Sequence, residues 1–487
     1  MSKVQPPDLA AIAALEMREH GLQPHFEAAA LAEAEKAATD NRLADRGDIR
    51  DLRSRLWFSI DNVDTRDLDQ LSWAQRQPDG SMLLAVAIAD VDALVPQGGA
   101  ADAHAAHNTT SVYTAAGVFA MLPPLLSNDA SSLHEGQDRL AVVVEMQISS
   151  EGTVGESQIF RAIVRNQAKL DYDSVAAWLE GRASAPAAVA ASQDLQAQLQ
   201  LHDELAANLR RWRHRSGALN VSTVQARPVF ADGQLVDLRA DHKNRAKDLI
   251  ADLMIATNIA SARFLVARGQ PTIRRVLQQP RRWDRLVQLA SARGHALPPT
   301  PDALSLDRFL SAQRAAEPAA FEDLSLAVVK LLGSGAYAAA SADAPAAGHF
   351  GLAVNDYAHS TAPNRRFVDL VTQRLLKATL AGQPTPYTMD ELSAIAEHCT
   401  LREDKASSVE RRVLKAAGAF LLRDRIGETF DAIVTGVAAK GTFVRIASPL
   451  VEGRLVGGFE NIDVGDALRV KLVAVDIEQR FIDFMRS

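Results

Sequence analysis

Apolar and polar positions change rhythm three times along the chain, and the order of the changes predicts an α+β protein. Residues 1 to about 50 carry apolar side chains at helical spacing, as in LAAIAALEMREHG and FEAAALAEAEKAA, with a break at Gly21-Leu22-Gln23-Pro24. From Leu83 the run LLAVAIADV is apolar enough to be a strand buried on both faces. LAVVVEMQI (140 to 148) and VGESQIFRAIVR (154 to 165) read as a hairpin turning at Ser150-Glu151-Gly152. Helical patterns follow: DYDSVAAWLEG with Asp171 as its N-cap, a long run after Asp194, and KNRAKDLIADLMIATNIASARFLVARG (243 to 269), with shorter ones up to Lys377. After Arg425 the chain becomes short alternating strands cornered by Gly427, Gly436, Gly441, Gly453 and Gly465, the pattern of a five-stranded OB-type barrel. Two Ala/Pro/Ser patches, near 183 and near 336, read as loops or helix edges.

Composition refines this into three domains: a small helical module over 1–50, a catalytic-sized domain with a sheet core and surrounding helices over 51–425, and the barrel over 426–487. The chain has 487 residues with 47% hydrophobic and 23% charged content, which excludes a disordered chain. Its start lacks a secretory pattern and no run of about eighteen apolar residues occurs, so a cytoplasmic protein with no membrane association is expected. The lone Cys399 excludes an intramolecular disulfide and a cysteine-based zinc site, and in IAEHCTL it reads as a core thiol. A net charge of -7 disfavours a generic polyanion binder, yet a nucleic-acid enzyme needs only a local basic channel.

The densest chemistry lies in IDNVDTRDLDQL, where Asp61, Asp64, Asp67 and Asp69 follow an apolar strand. Two carboxylates ~4 Å apart repel by roughly 1 kcal/mol in water and about 4 at an intermediate dielectric, so several in a partly buried loop call for a cation. Oxygen-only ligands point to Mg2+, with Mn2+ as a substitute. The alternative is a solvated turn whose aspartates cap backbone amides. A calcium loop is disfavoured, because the pattern lacks the Gly and the closing Glu that such loops need.

Four more segments follow that loop: LAVAIADVDALV (84–95), VYTAAGVFAMLPPLLSNDASSL (112–133), KDLIADLMIATNIASA (247–262) and HFGLAVNDYAHSTAPNRRFVDLVTQRLL (349–376). Together they resemble the RNase II / RNase R (RNB) family of 3′-to-5′ exoribonucleases over roughly 51 to 487, and the terminal barrel resembles the S-one-type OB folds that close these enzymes. The resemblance implies processive, Mg2+-dependent hydrolysis of single-stranded RNA to nucleoside 5′-monophosphates. It places Asp61, Asp67 and Asp69 at three of four metal-binding aspartates, Gln70 at the fourth, and Arg365 as the clamp on the scissile phosphate. It further implies that Tyr113 stacks on the 3′-terminal nucleotide, that Asp252 stands where relatives carry a glutamate near the ribose, and that Phe230 corresponds to a base-stacking phenylalanine. In the barrel, Phe443 is the stacking candidate, supported by Lys440, Arg445 and Arg454.

Other residues read as structural. Arg366 reads as a helix-entry partner of carboxylates, His359 as a hydrogen-bonding histidine, and Asp64 as a turn residue with a water-mediated ligand as its alternative. The runs RRWRHR (210–215) and RADHKNRAK (239–247) either line an RNA entrance or are solvated helix faces. Where family members commonly carry cold-shock barrels, this chain has the helical module, with a helix-turn-helix-like clamp as one reading of it. No protein partner is legible and a monomer is expected. An RNA-binding protein whose centre has decayed at Gln70 is the alternative to an active enzyme.

Overall fold

The computed structural model describes residues 8–39, 49–280, 282–344, 348–438 and 441–487. The central sheet holds β1 (Arg50–Asp51), β2 (Trp57–Asp61), β3 (Gln70–Arg76), β4 (Met82–Ala89), β5 (Asp138–Ile148) and β6 (Val154–Asp171) in the order β1-β6-β2-β3-β4-β5. The expected hairpin is β5–β6, with antiparallel pairing from Asp138↔Arg165 to Ile148↔Val154. Its turn needs glycine, since Gly152 has φ +87° and a Cβ there would lie 2.0 Å from the backbone oxygen of Asn208. β4 is buried except at Leu83, as its unbroken apolar run requires. The 18-residue β6 also pairs in parallel with β2, so Asp61, the last residue of β2, sits opposite Asp171.

Helices cover this sheet and carry the chain onward to the barrel. α1 (Leu9–Glu19) and α2 (Ala28–Thr39) come first, then α3 (Gln193–Arg215), α4 (Arg245–Val266), α5 (Phe321–Leu332), α6 (Phe367–Leu380) and α7 (Met389–Leu422). α4 is long and apolar enough to cross a membrane, but 72% of its most apolar window is buried inside the protein. Asn244 caps it, accepting from the Lys247 amide at 2.9 Å. α7 opens with a reciprocal Thr388/Glu391 capping box and buries Cys399 along its length, in keeping with a core thiol. α1 packs on α7, whereas α2 packs on the helix Ala100–Asn108, so the two N-terminal helices take separate partners. The buried Glu16 of α1 pairs with Arg412 of α7 at 2.8 Å and with Arg480 of the barrel at 2.6 Å.

The terminal barrel consists of β7 (Thr429–Ala438), β8 (Gly441–Ala447), β9 (Leu450–Gly457), β10 (Ala467–Asp476) and β11 (Phe481–Arg486), closed in the order β7-β8-β9-β11-β10. Its core is continuous with apolar residues of α1 and α7. One expectation fails here. The Ala-rich segment near 336 is a strand, Ala336–Ala340, paired antiparallel with Thr272–Val276. Its sequence has little β propensity of its own; the pairing partner and the buried Tyr337, whose amide donates to Thr400 Oγ1 at 2.8 Å, hold it extended.

Candidate active site

β2 and β3 are joined by a single ladder pair, Phe58↔Ser72, which leaves residues 62–69 free to splay from the sheet edge. Three contacts fix that loop. Lys169 Nζ donates to the carbonyls of Thr65 at 2.7 Å and Val63 at 3.3 Å. Ser132 Oγ accepts from the Leu68 amide at 2.9 Å and donates to the Arg66 carbonyl at 2.7 Å. The Ala89 amide donates to the Asp69 carbonyl at 2.9 Å, seating the loop's end on β4.

The segment before α6 is brought to the same place. Ser111 N donates to the Arg365 carbonyl at 3.0 Å and Phe367 N to the Thr109 carbonyl at 2.8 Å, which ties the strand of Tyr113 to the segment of Arg365. Arg365 Nε then donates to Asp69 Oδ2 at 3.1 Å, and the Asn364 amide donates to Asp69 Oδ1 at 3.2 Å. Tyr113 directs its hydroxyl to Asp67 Oδ2 at 3.4 Å, and Gln70 Nε2 to Asp61 Oδ1 at 3.5 Å. The Arg365 side chain is 44% exposed and also interacts with the Tyr113 hydroxyl, while Asp69 is 2% exposed beneath it. Arg366 pairs with Asp369 at 2.7 Å, the helix-entry role expected of it. Asp64 is an exposed turn residue that meets Arg227 at 3.7 Å.

Burial dominates the electrostatics. It raises the carboxyls of Asp61 and Asp69 from 3.8 to about 7, aided at Asp61 by the charge of Asp69 and opposed at both by Arg365. Asp67 is raised for the same first reason. Asp61 Oδ2 is buried without a hydrogen-bond partner. Among the described residues no three Asp, Glu, His or Cys side chains converge closely enough to hold a metal ion as they stand. Even so, the orphaned Asp61 oxygen near the carboxylates of Asp67 and Asp69 is a donor set whose chemistry fits a hard divalent cation, and Gln70, whose amide nitrogen faces Asp61, would have to turn its amide over to add an oxygen. Tyr172 is a site residue that sequence reasoning missed: it is the first residue of the helix capped by Asp171, and its buried hydroxyl is pushed up by burial and by Asp61. No local sequence signal could have found it, because its proximity follows from the parallel register that sets Asp171 opposite Asp61.

Several expected site residues lie elsewhere. Asp252 is 2% exposed and bound by two guanidiniums of α3, Arg210 at 2.6 Å and Arg213, so its carboxylate is held by protein rather than offered to a ribose. Replacing it would strand both cations. Asp252→Ala is therefore expected to cost about 3–5 kcal/mol, read as a lower Tm, while the folded fraction keeps its turnover within a few-fold. Phe230, 49% exposed on the hairpin Gln225–Ala231/Gln234–Asp241, lines a largely apolar cavity with Leu9, Ala116 and Phe420 that none of Asp61, Asp67 and Asp69 borders. Phe443 has the Lys415 ammonium of α7 5.5 Å from its ring centroid, and Arg445 is paired with Asp323 of α5. Lys440 lies outside the described residues. His359 is half-buried and bonded to the Tyr337 hydroxyl at 2.9 Å, and desolvation and nearby arginines lower its pKa and favour the neutral ring, which fits a structural part. Much of the two basic runs is internally paired, Arg215 with Glu151, Arg239 with Asp237 and Arg245 with Asp203.

The RNB domain profile matches residues 49–382, more than half of the chain. The chain belongs to the RNB family. The RNase II-type exonuclease C-terminal S1 domain profile matches residues 428–487 of this RNB protein, which is the closed barrel. Ribonuclease R of Vibrio parahaemolyticus is 31% identical over 479 residues, covering 89% of this chain and 55% of the relative. Ribonuclease R of Thermotoga maritima is 29% identical, covering 90% of this chain and 64% of the relative. The chain thus spans little more than half the length of the curated relatives it matches. In structure it is similar to Mycoplasma genitalium RNase R in complex with ribose-methylated single-stranded RNA, with a TM-score of 0.88 over 99% of this chain and 78% of the other at 22% identity.

Proposed function

We propose that this RNB protein is a cytoplasmic, Mg2+-dependent 3′-to-5′ exoribonuclease that releases nucleoside 5′-monophosphates processively from single-stranded RNA. The observation that carries this reading is the meeting of the aspartate loop with Arg365, nearly three hundred positions away in sequence, in a direct ion pair at Asp69. The ribonuclease R relatives and the solved RNA complex of M. genitalium RNase R support RNA as the substrate class. Asp61, Asp67, Asp69 and the Gln70 amide oxygen would hold the cation. When bound, it supplies Lewis-acid polarisation of the scissile phosphate and acidifies the attacking water. The side chains do the rest. Arg365 offers a planar, permanently charged fork to the phosphate as negative charge builds on it, and Tyr113 places a half-exposed ring beside that fork to bracket the last nucleotide. Water adds to phosphorus, the bond to the 3′ oxygen breaks, and the terminal residue leaves with its 5′-phosphate.

Gln70 favours a second reading, an RNA binder with a weakened centre, because an amide supplies oxygen without charge. The two separate on a 5′-labelled oligoribonucleotide incubated with Mg2+. A ladder ending in a short 5′ fragment, absent with Asp69→Asn and absent on a deoxy oligomer, supports the exoribonuclease; intact RNA retained by both proteins supports the binder. Within the enzymatic reading, Gln70→Asp adds a unit of negative charge next to Asp61 and is expected to lower the Mg2+ concentration for half-maximal rate several-fold. A titration in which the two proteins coincide would remove Gln70 from the ligand set.

A further inference from the structure

We infer that the cavity between α3, α4 and α5 is a second ligand site, one that binds a nucleoside 5′-monophosphate. It borders none of Asp61, Asp67, Asp69, Tyr113 or Arg365. An inner chamber of about 350 Å³ opens into an outer groove of about 650 Å³, and Arg210, Lys243 and Arg314 line both, forming a cationic collar between them. The chamber's size suits one nucleotide and not a strand.

The collar has donors to spare. Lys243 Nζ donates to the Val221 carbonyl at 2.8 Å and Arg314 Nη1 to Asn220 Oδ1 at 3.1 Å, and among the described residues neither cation has a carboxylate partner. Most of their N–H groups therefore remain available to an anion. Arg213 adds an independent sign of a missing acceptor, since its Nη1 is buried, lacks any hydrogen-bond partner, and belongs to a residue lining the inner chamber. The carboxylates at the cavity's edge are already matched: Asp252 by Arg210 and Arg213, Asp203 by Arg245, and Glu322 by His242. Asp248, at 3.9 Å from Arg210, is a weakly paired acid at the collar, and Glu322 has a histidine as its partner.

Beyond the collar the chemistry changes. Ile255, Leu277, Leu332 and Leu352 supply an apolar wall, and His349, kept neutral by burial, adds a flat ring. A phosphate at the collar with a base in the chamber satisfies both halves. The four aliphatic side chains of this wall do not discriminate between bases, so purines and pyrimidines are both expected to fit. Naming the ligand's source rests on the exonuclease reading, under which such monophosphates are the product and the cavity is a place where product accumulates or modulates the enzyme.

The test uses the full chain carrying Arg365→Ala, in EDTA, so that the catalytic cleft is disabled and binding is read apart from activity. Calorimetric titration with adenosine and uridine 5′-monophosphates is expected to give saturable one-site binding, with adenosine and inorganic phosphate each at least about tenfold weaker. Adding Lys243→Ala and Arg314→Ala together should weaken the monophosphates at least about tenfold, whereas Arg314→Lys, which keeps the charge, should retain them within a few-fold. Unchanged Tm for these variants certifies their folding. The inference falls if binding is unsaturable, if the double variant binds as tightly as its parent, or if phosphate alone binds as tightly as the nucleotides. Degradation of labelled RNA by the Lys243→Ala/Arg314→Ala protein with Arg365 intact tests the exonuclease reading separately, and its outcome does not depend on the calorimetry.

Discussion

Arg365→Ala is expected to lower turnover about 10²- to 10³-fold, the usual cost of deleting one preorganised electrostatic contact to a reacting group. The geometry makes the effect specific to the rate. The guanidinium is anchored through Nε on Asp69 in a side chain that is 44% exposed, so its removal withdraws charge from the phosphate and leaves the backbone tie from Ser111 to residue 365 intact. KM should change less than turnover, because the developing charge, more than the ground-state phosphate, is what the arginine meets. Arg365→Lys should recover only part of the loss, since an ammonium lacks the planar fork. Single-turnover assays on a short oligoribonucleotide check this. Turnover within a few-fold of the parent would make Arg365 a packing partner of Asp69 and nothing more.

How much of this could be read from the sequence depended on whether a signal was local. The β4 run, the β5–β6 hairpin and the barrel strands carry their own periodicity and turn residues, and each is found where the pattern placed it. The aspartate loop was legible for the same reason. Arg365 was legible only through the resemblance, because nothing in APNRRF says that it folds against a loop far away in sequence. Charge pairing was legible at Arg366, a helix-entry cation three positions before Asp369, and not over longer separations. Asp252 reads as a site residue until Arg210 and Arg213 are seen holding it, and nothing in the first helix's sequence shows that Glu16 is buried against Arg412 and Arg480. The strand Ala336–Ala340 was invisible because its extension comes from its partner strand and not from its own side chains.

The aspartates give the sharpest consequence, since they should cost stability in the same measure as they enable chemistry. In the folded chain the carboxyls of Asp61 and Asp69 sit at about 7 instead of 3.8, burial being the main cause. The folded state therefore holds these protons more tightly than the unfolded state. Below about pH 4 both states are protonated and the groups do not affect stability. As pH rises from about 4 to about 7 the unfolded chain ionises first, so the cation-free protein loses stability through that window and carries the whole penalty above it. Mg2+ should then raise Tm more at pH 8 than at pH 5. Asp61→Asn keeps the shape and deletes the charge at the residue whose Oδ2 has no partner, so in EDTA at pH 8 its Tm should exceed the parent's by about 2–4 °C for each kcal/mol relieved, with the two converging near pH 4. The same substitution should lower RNA hydrolysis by at least about 10³-fold, the upper end for loss of one preorganised contact. A gain in stability joined to a loss of activity cannot come from misfolding; an Asp61→Asn protein that is both less stable at pH 8 and unresponsive to Mg2+ would show that the loop is a capped turn and not a cation site.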